Sequence, residues 1–126
     1  MAIPTTVLLE ISVINKEKKL QRVGFRLQLR KDRLDEYVEH HKNVWPDMQE
    51  ALSEAGWCNY TLFLDRNDAT LFGYFETSDY QAALDGMAES GVNDRWQAMM
   101  GDFFVTHDGR RPDESFLRLE DIFYLP

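Results

Sequence analysis

The sequence predicts an α+β fold, and three observations carry that prediction. Residues 22–30, RVGFRLQLR, alternate apolar and polar side chains, the period of a strand with one buried face. Apolar residues then recur at three- and four-residue steps over residues 34–55, the period of an amphipathic helix. A hairpin of two aromatic-rich strands follows, and after it further helical text leads into a last strand.

The composition bounds the reading. A chain of 126 residues with 44% hydrophobic and 29% charged residues fits one globular domain around one core. Its 14 Lys and Arg against 22 Asp and Glu give a net charge of −8, which repels phosphate backbones and argues against nucleic acid as a partner. A small neutral ligand suits such a chain better. Cys58 is the single cysteine, so neither an intrachain disulfide nor a site of several thiolates is available, and a reducing cytoplasm is the expected setting. The apolar run at 7–14 is interrupted by Glu10 and Ser12 and is too short to span a bilayer, so no membrane partner is expected.

Taken in order, residues 1–21 read as an N-terminal extension ahead of a domain over 22–126. Within the extension TVLLEISVI alternates weakly, as an added edge strand would, and NKEKK reads as a solvated link. In the first strand of the domain Val23, Phe25, Leu27 and Leu29 share one face, while Arg26 and Gln28 share the other. A single helix is expected over 32–55, with Asp32 as N-cap, Asp35 and Glu36 in the first turn, and Gly56 just past its end. WCNYTLFLD (57–65) and ATLFGYFE (69–76) form the hairpin, joined by Arg66, Asn67 and Asp68. TSDYQAALDGMAES (77–90) opens on a capping cluster and reads as a second helix, and NDRWQAMMGDFF (93–104) as a further helical piece. THDGRRPDES (106–115) reads as a loop and FLRLEDIFYLP (116–126) as the last strand. This order, β-α-β-β-α-β, is the ferredoxin-like plan. Both helices then cover one sheet face, and nothing left in the chain covers the other. A second copy is the expected cover. The result would be a homodimer, a dimeric α/β barrel whose two sheets face each other around an enclosed space.

Two residues in YVEHHKNVWPDM (37–48) sit badly in a helix that serves packing alone. By helical rotation Leu34 and Met48 lie within about 20° of His41, and Tyr37 and Trp45 within about 40°. His41 is thus central to the apolar stripe. One reading is a core histidine bonded to a backbone carbonyl. The other is a general acid/base, since imidazole exchanges protons near neutral pH. Tyr37 and Trp45, one turn before and after it, are either core rings or surfaces on which a sugar stacks. Pro46 lacks an N–H and clashes with the carbonyl at position 42. It either kinks one helix or opens a second helix at its first position. The sequence has no H-E-x-x-H, P-loop, nucleophile elbow or dinucleotide fingerprint, so no metal or organic cofactor is expected.

EYVEHHKNVWPDM, NYTLFLDRNDATLFG, RWQAMM and the terminal FYLP, in this order, resemble the L-rhamnose mutarotase family over residues 22–126. The resemblance implies a ferredoxin-like domain that dimerises through its sheets. It further implies cofactor-free interconversion of the α and β anomers of L-rhamnose or a related 6-deoxyhexose. It assigns His41 as the catalytic histidine and Tyr37, Tyr60 and Trp96 as sugar contacts. Where the family carries a second tryptophan this chain has Gln97, which the resemblance places at the sugar as well. The 106–115 loop also departs from family text. Mutarotation needs one group to take the anomeric hydroxyl proton and another to protonate the ring oxygen. Tyr37, Tyr60, a water, His107 and Asp108 are candidates for the second role. Two other readings stay open on sequence grounds: a cofactor-free monooxygenase of the same dimeric plan, and a non-catalytic binding module in which His41 is structural.

Overall fold

The computed structural model describes residues 19–105 and 110–126. The weak alternation at 1–18 and the candidates His107 and Asp108 lie outside them. The described chain is an α+β unit: one four-stranded antiparallel sheet and five helices. Its elements are β1 (Gln21–Gln28), α1 (Leu34–His41), α2 (Pro46–Glu54), β2 (Cys58–Asp65), β3 (Thr70–Thr77), α3 (Tyr80–Ala88), α4 (Gly91–Met100), α5 (Pro112–Ser115) and β4 (Leu117–Arg118). Across the sheet the strands run β2-β3-β1-β4.

The alternation of β1 does what it predicts. Val23, Phe25 and Leu29 are buried under the helices, opposite Phe75 and Gly73 of β3. Phe25 lies over Gly73 so closely that a Cβ there would stand 2.1 Å from the ring. The absent side chain at Gly73 is what lets this ring lie flat in the core.

The single helix expected over 32–55 is two helices. α1 stops at His41, residues 43–45 carry the chain round, and α2 begins at Pro46. Trp45 is extended (φ −53°, ψ 134°), as a residue before proline prefers. The missing N–H of Pro46 costs nothing at the first helical position. Asp32 is not the N-cap either: it sits in a 3₁₀ turn and pairs with Arg30 at 3.0 Å. Gly56 does close α2, in the left-handed region (φ 93°) that favours glycine. Its N–H and that of Trp57 donate to the carbonyls of Ser53 and Leu52, a Schellman closure.

β2 and β3 form the expected hairpin, with one irregularity. Between Cys58 and Thr61 the register shifts, and Asn59 has φ 49°. This is a bulge: one extra residue on β2. α3 and α4 are capped by Asp79 and Ser90, whose side chains accept from Ala82 N and Asn93 N. Residues 112–115, read as loop, form the short helix α5. The last strand is far shorter than the alternation of 116–126 suggests. Only Leu117 and Arg118 pair with β1, followed by a Leu119 N–H bond to Gly24 O. Beyond them Arg22 holds the tail through Asp121 (3.0 Å) and the Tyr124 ring.

The helices lie on one face of the sheet. The other face is open and carries Arg26, Phe63, Phe72, Leu117 and Leu119, all exposed. No helix among the described residues is long and apolar enough to cross a membrane.

Candidate active site

A cavity of about 760 Å³, open to solvent on one side, lies between the sheet and the helices. It is on the helix-covered side, not on the open face where a space between two sheets was expected. The end of α1 and the following turn form one wall. β1, β2 and β3 form the floor, and α4 with α5 forms another wall.

His41 stands at the end of α1, where a full turn of helix brings its ring back over Tyr37. Its Nδ1 is 2.8 Å from the Tyr37 carbonyl. A carbonyl only accepts, so Nδ1 carries the hydrogen and donates it. In the neutral ring Nε2 is then a bare lone pair. Burial lowers the His41 pKa below its usual 6.5; the carbonyl bond opposes this in part, and nearby His40 adds to it. At neutral pH the group is therefore an uncharged base. Its ring lies 4.2 Å from that of Tyr37 and meets Trp96 edge-on at 5.5 Å.

Tyr37 and Tyr60 border the same cavity, one from α1 and one from β2. Neither hydroxyl has a hydrogen-bond partner among the described residues. Burial pushes the Tyr37 phenol well up, with nearby Tyr60 adding to it. Desolvation in the cavity also raises Tyr60, although 39% of the residue stays solvent-accessible, and the charge of Asp113 adds to it. Both stay protonated donors at neutral pH. Tyr60 owes its position to the bulge, which brings it within 5.1 Å of the Trp57 ring.

Trp96 is buried on α4 and borders the cavity. Trp45 does not border it; it meets Trp96 edge-on at 5.1 Å and braces it from behind. Gln97 borders the cavity, but both ends of its amide are engaged. Its Nε2 donates to Asn93 Oδ1 at 3.1 Å, and its Oε1 accepts from the Asp113 N–H at 3.3 Å.

Several lining residues escape the sequence reading. Trp57 stacks on Phe75 at 3.9 Å and donates its indole N–H to Ala83 O at 2.9 Å. Asn93 is 1% exposed and donates to Met87 O and to Asp113 Oδ2, each at 2.9 Å. Asp113 comes from α5, and Phe116 beyond it packs on Phe25 at 4.5 Å. Among the described residues no group of three or more His, Cys, Asp or Glu side chains is arranged to hold a metal ion. The arrangement offers one neutral base, two free hydroxyl donors, aromatic faces and a carboxylate around a space of ligand size.

Comparison with known proteins shows the family. A family model described as L-rhamnose mutarotase matches residues 22–125. An L-rhamnose mutarotase from Lachnoclostridium phytofermentans is 35% identical over 104 residues, 82% of this chain and 97% of that protein. One from Acidiphilium cryptum is 34% identical over 107 residues, 85% of this chain and 100% of the relative. In structure, the chain is similar to the L-rhamnose mutarotase of Formosa agariphila, with a TM-score of 0.70 at 27% identity, covering 84% of this chain and 99% of that one.

Proposed function

The chain belongs to the L-rhamnose mutarotase family, and from that premise we propose that it interconverts the α and β anomers of L-rhamnose, or of a related 6-deoxyhexose, with His41 as acid and base. The enzyme class, an anomer-interconverting isomerase, follows from the family. The monooxygenase and binding-module readings lose their ground with it.

The observation that carries the mechanism is the His41 ring, held by the Tyr37 carbonyl with its Nε2 lone pair free. In this reading Nε2 takes the proton of the anomeric hydroxyl. The C1–O5 bond breaks as C1=O1 forms, and the negative charge moves to O5. Tyr37 and Tyr60 donate hydrogen bonds where that charge develops. O1 and O5 share C1, so the same imidazolium is near enough to protonate O5. Rotation about C1–C2 presents the other aldehyde face, and the steps reverse. Trp96 offers a ring face to the sugar. Trp45 and Gln97 act through their neighbours, Trp45 behind Trp96 and Gln97 through Asn93 and Asp113.

The strand order β2-β3-β1-β4, antiparallel throughout, supports the ferredoxin-like plan. The exposed apolar side chains on the open face support a second copy as its cover, which makes the assembly a homodimer and a dimeric α/β barrel. In that dimer each chain keeps its own cavity. A cytoplasmic setting fits the lone free Cys58.

Saturation-transfer NMR on equilibrated L-rhamnose tests the activity. Magnetisation should pass between the anomeric protons faster with enzyme than in buffer alone. Exchange no faster than in buffer, for L-rhamnose and L-fucose alike, would reject the reading.

A further inference from the structure

The α4–α5 wall of the cavity holds a polar network. Arg111 grips the Asp113 carboxylate with two nitrogens, Nε to Oδ1 at 3.0 Å and a terminal nitrogen to Oδ2 at 2.8 Å. Its other terminal nitrogen reaches Asp94 on α4 at 2.6 Å. Buried Asn93 adds a third bond to the carboxylate, at Oδ2. Gln97 holds the backbone N–H of the same residue. Three side chains thus fix one aspartate, whose own side chain remains 21% exposed and borders the cavity.

Tyr60 supplies the second observation. Its hydroxyl has no partner among the described residues, and the Asp113 charge is near enough to disfavour its ionisation. A carboxylate has about four lone-pair sites, of which three are used here. An acceptor with a vacant site and a donor with no partner therefore border one space. A hydroxyl group both donates and accepts, so a single hydroxyl satisfies both.

We propose that Asp113 is a specificity-determining residue, accepting a hydrogen bond from one substrate hydroxyl that Tyr60 contacts from the other side. Arg111, Asn93 and Gln97 are its positioning residues. This rests on the sugar reading above and extends it: the ligand must carry a hydroxyl at this place in the cavity. It also gives Gln97 a role without direct sugar contact.

The test uses the full chain, L-rhamnose and its 2-, 3- and 4-deoxy analogues, with wild type, Asp113→Asn and Asp113→Ala. Sites built to bond a hydroxyl reject the analogue lacking it, so wild type should disfavour one analogue, in kcat/KM for anomeric exchange, by about 100-fold or more. Asp113→Ala should raise the KM for L-rhamnose by roughly 10- to 100-fold and shrink the gap between L-rhamnose and that analogue. Asp113→Asn should fall between. A purely structural role would slow every sugar by a common factor and leave the gap intact, which would overturn the proposal. So would a wild type that treats all three analogues alike, a result that needs no variant to fold. If wild type exchanges none of the sugars, the function itself fails, and that outcome is distinct from exchange without discrimination.

Discussion

The two faces of one sheet are built by alternate residues of the same strands, yet they do different things. On the helix side Phe25, Leu71 and Phe75 are within 2% of full burial, and Phe25 and Leu71 form part of the floor of a cavity. On the open side Phe63 is 61% exposed, with Phe72, Leu117 and Leu119 around it. Each face also has a glycine. Gly73 faces inward against the Phe25 ring, while Gly24 faces outward with no atom nearer than 4.0 Å to a Cβ built on it. A strand's period of two thus gives the sheet two unlike faces: the inner set lines a cavity, and the outer set leaves apolar side chains exposed.

The largest change should come from the inner side. His41→Ala should fold and lose exchange by about 10²–10⁴, the usual worth of a positioned acid/base. A folded variant with near wild-type exchange would remove His41 from the chemistry. The two glycines sharpen the contrast next. Gly73→Ala drives a methyl into a buried ring and should destabilise by about 1–3 kcal/mol or more. Gly24→Ala should stay within about 0.5 kcal/mol. Equal shifts in urea midpoint would break the asymmetry. On the outer face, Phe72→Asp should weaken the dimer by about 30-fold, or about 2 kcal/mol, with exchange retained in the folded monomer. Light scattering that finds wild type already monomeric at micromolar concentration would end the dimer reading.

The smallest effect is the pH response of His41. In the proposed mechanism the active form is the neutral ring, and its pKa is lowered by burial, so exchange should be flat through neutral pH and fall only below pH 6.5. The stability linkage has the same sign. Above 6.5 the ring is neutral folded or unfolded and contributes no slope. Below it the unfolded chain takes up the proton first, so stability drops as pH falls toward the folded pKa. A rate that instead rises on acidification through this window would assign the role to the imidazolium.

Much of the fold was legible because period reports burial. The alternation of β1 and the hairpin stood out for that reason. What period does not report is connection. The apolar steps from Leu34 to Ala55 run on across Pro46 although the helix does not, because α1 and α2 bury residues in the same core. The alternation of 116–126 signals a sided segment, but strand pairing needs a neighbour, and β1 pairs only with Leu117 and Arg118. At the site, His41 was readable as a titratable ring on an apolar stripe. Asn93 and Asp113 were not, since they are 20 residues apart and acquire meaning only when α5 docks on α4. Gln97 read as a ligand contact because the resemblance places it at the sugar; its bond to Asn93 is local, four residues back on α4, but its bond to the Asp113 N–H is tertiary.

The bulge at Asn59 alters the arithmetic of β2. In a strictly alternating strand, residues an odd number apart face opposite ways, so Trp57 and Tyr60 would be separated by the sheet. The extra residue cancels that parity and lets one strand send both rings inward, with Cys58 turned out opposite Glu76. A one-residue deletion here is therefore an inversion: it would rotate the segment before it, expel the indole that carries the Ala83 bond, and draw the thiol into the core. A gap at this place in a related sequence marks a differently furnished cavity, even where every neighbouring letter agrees.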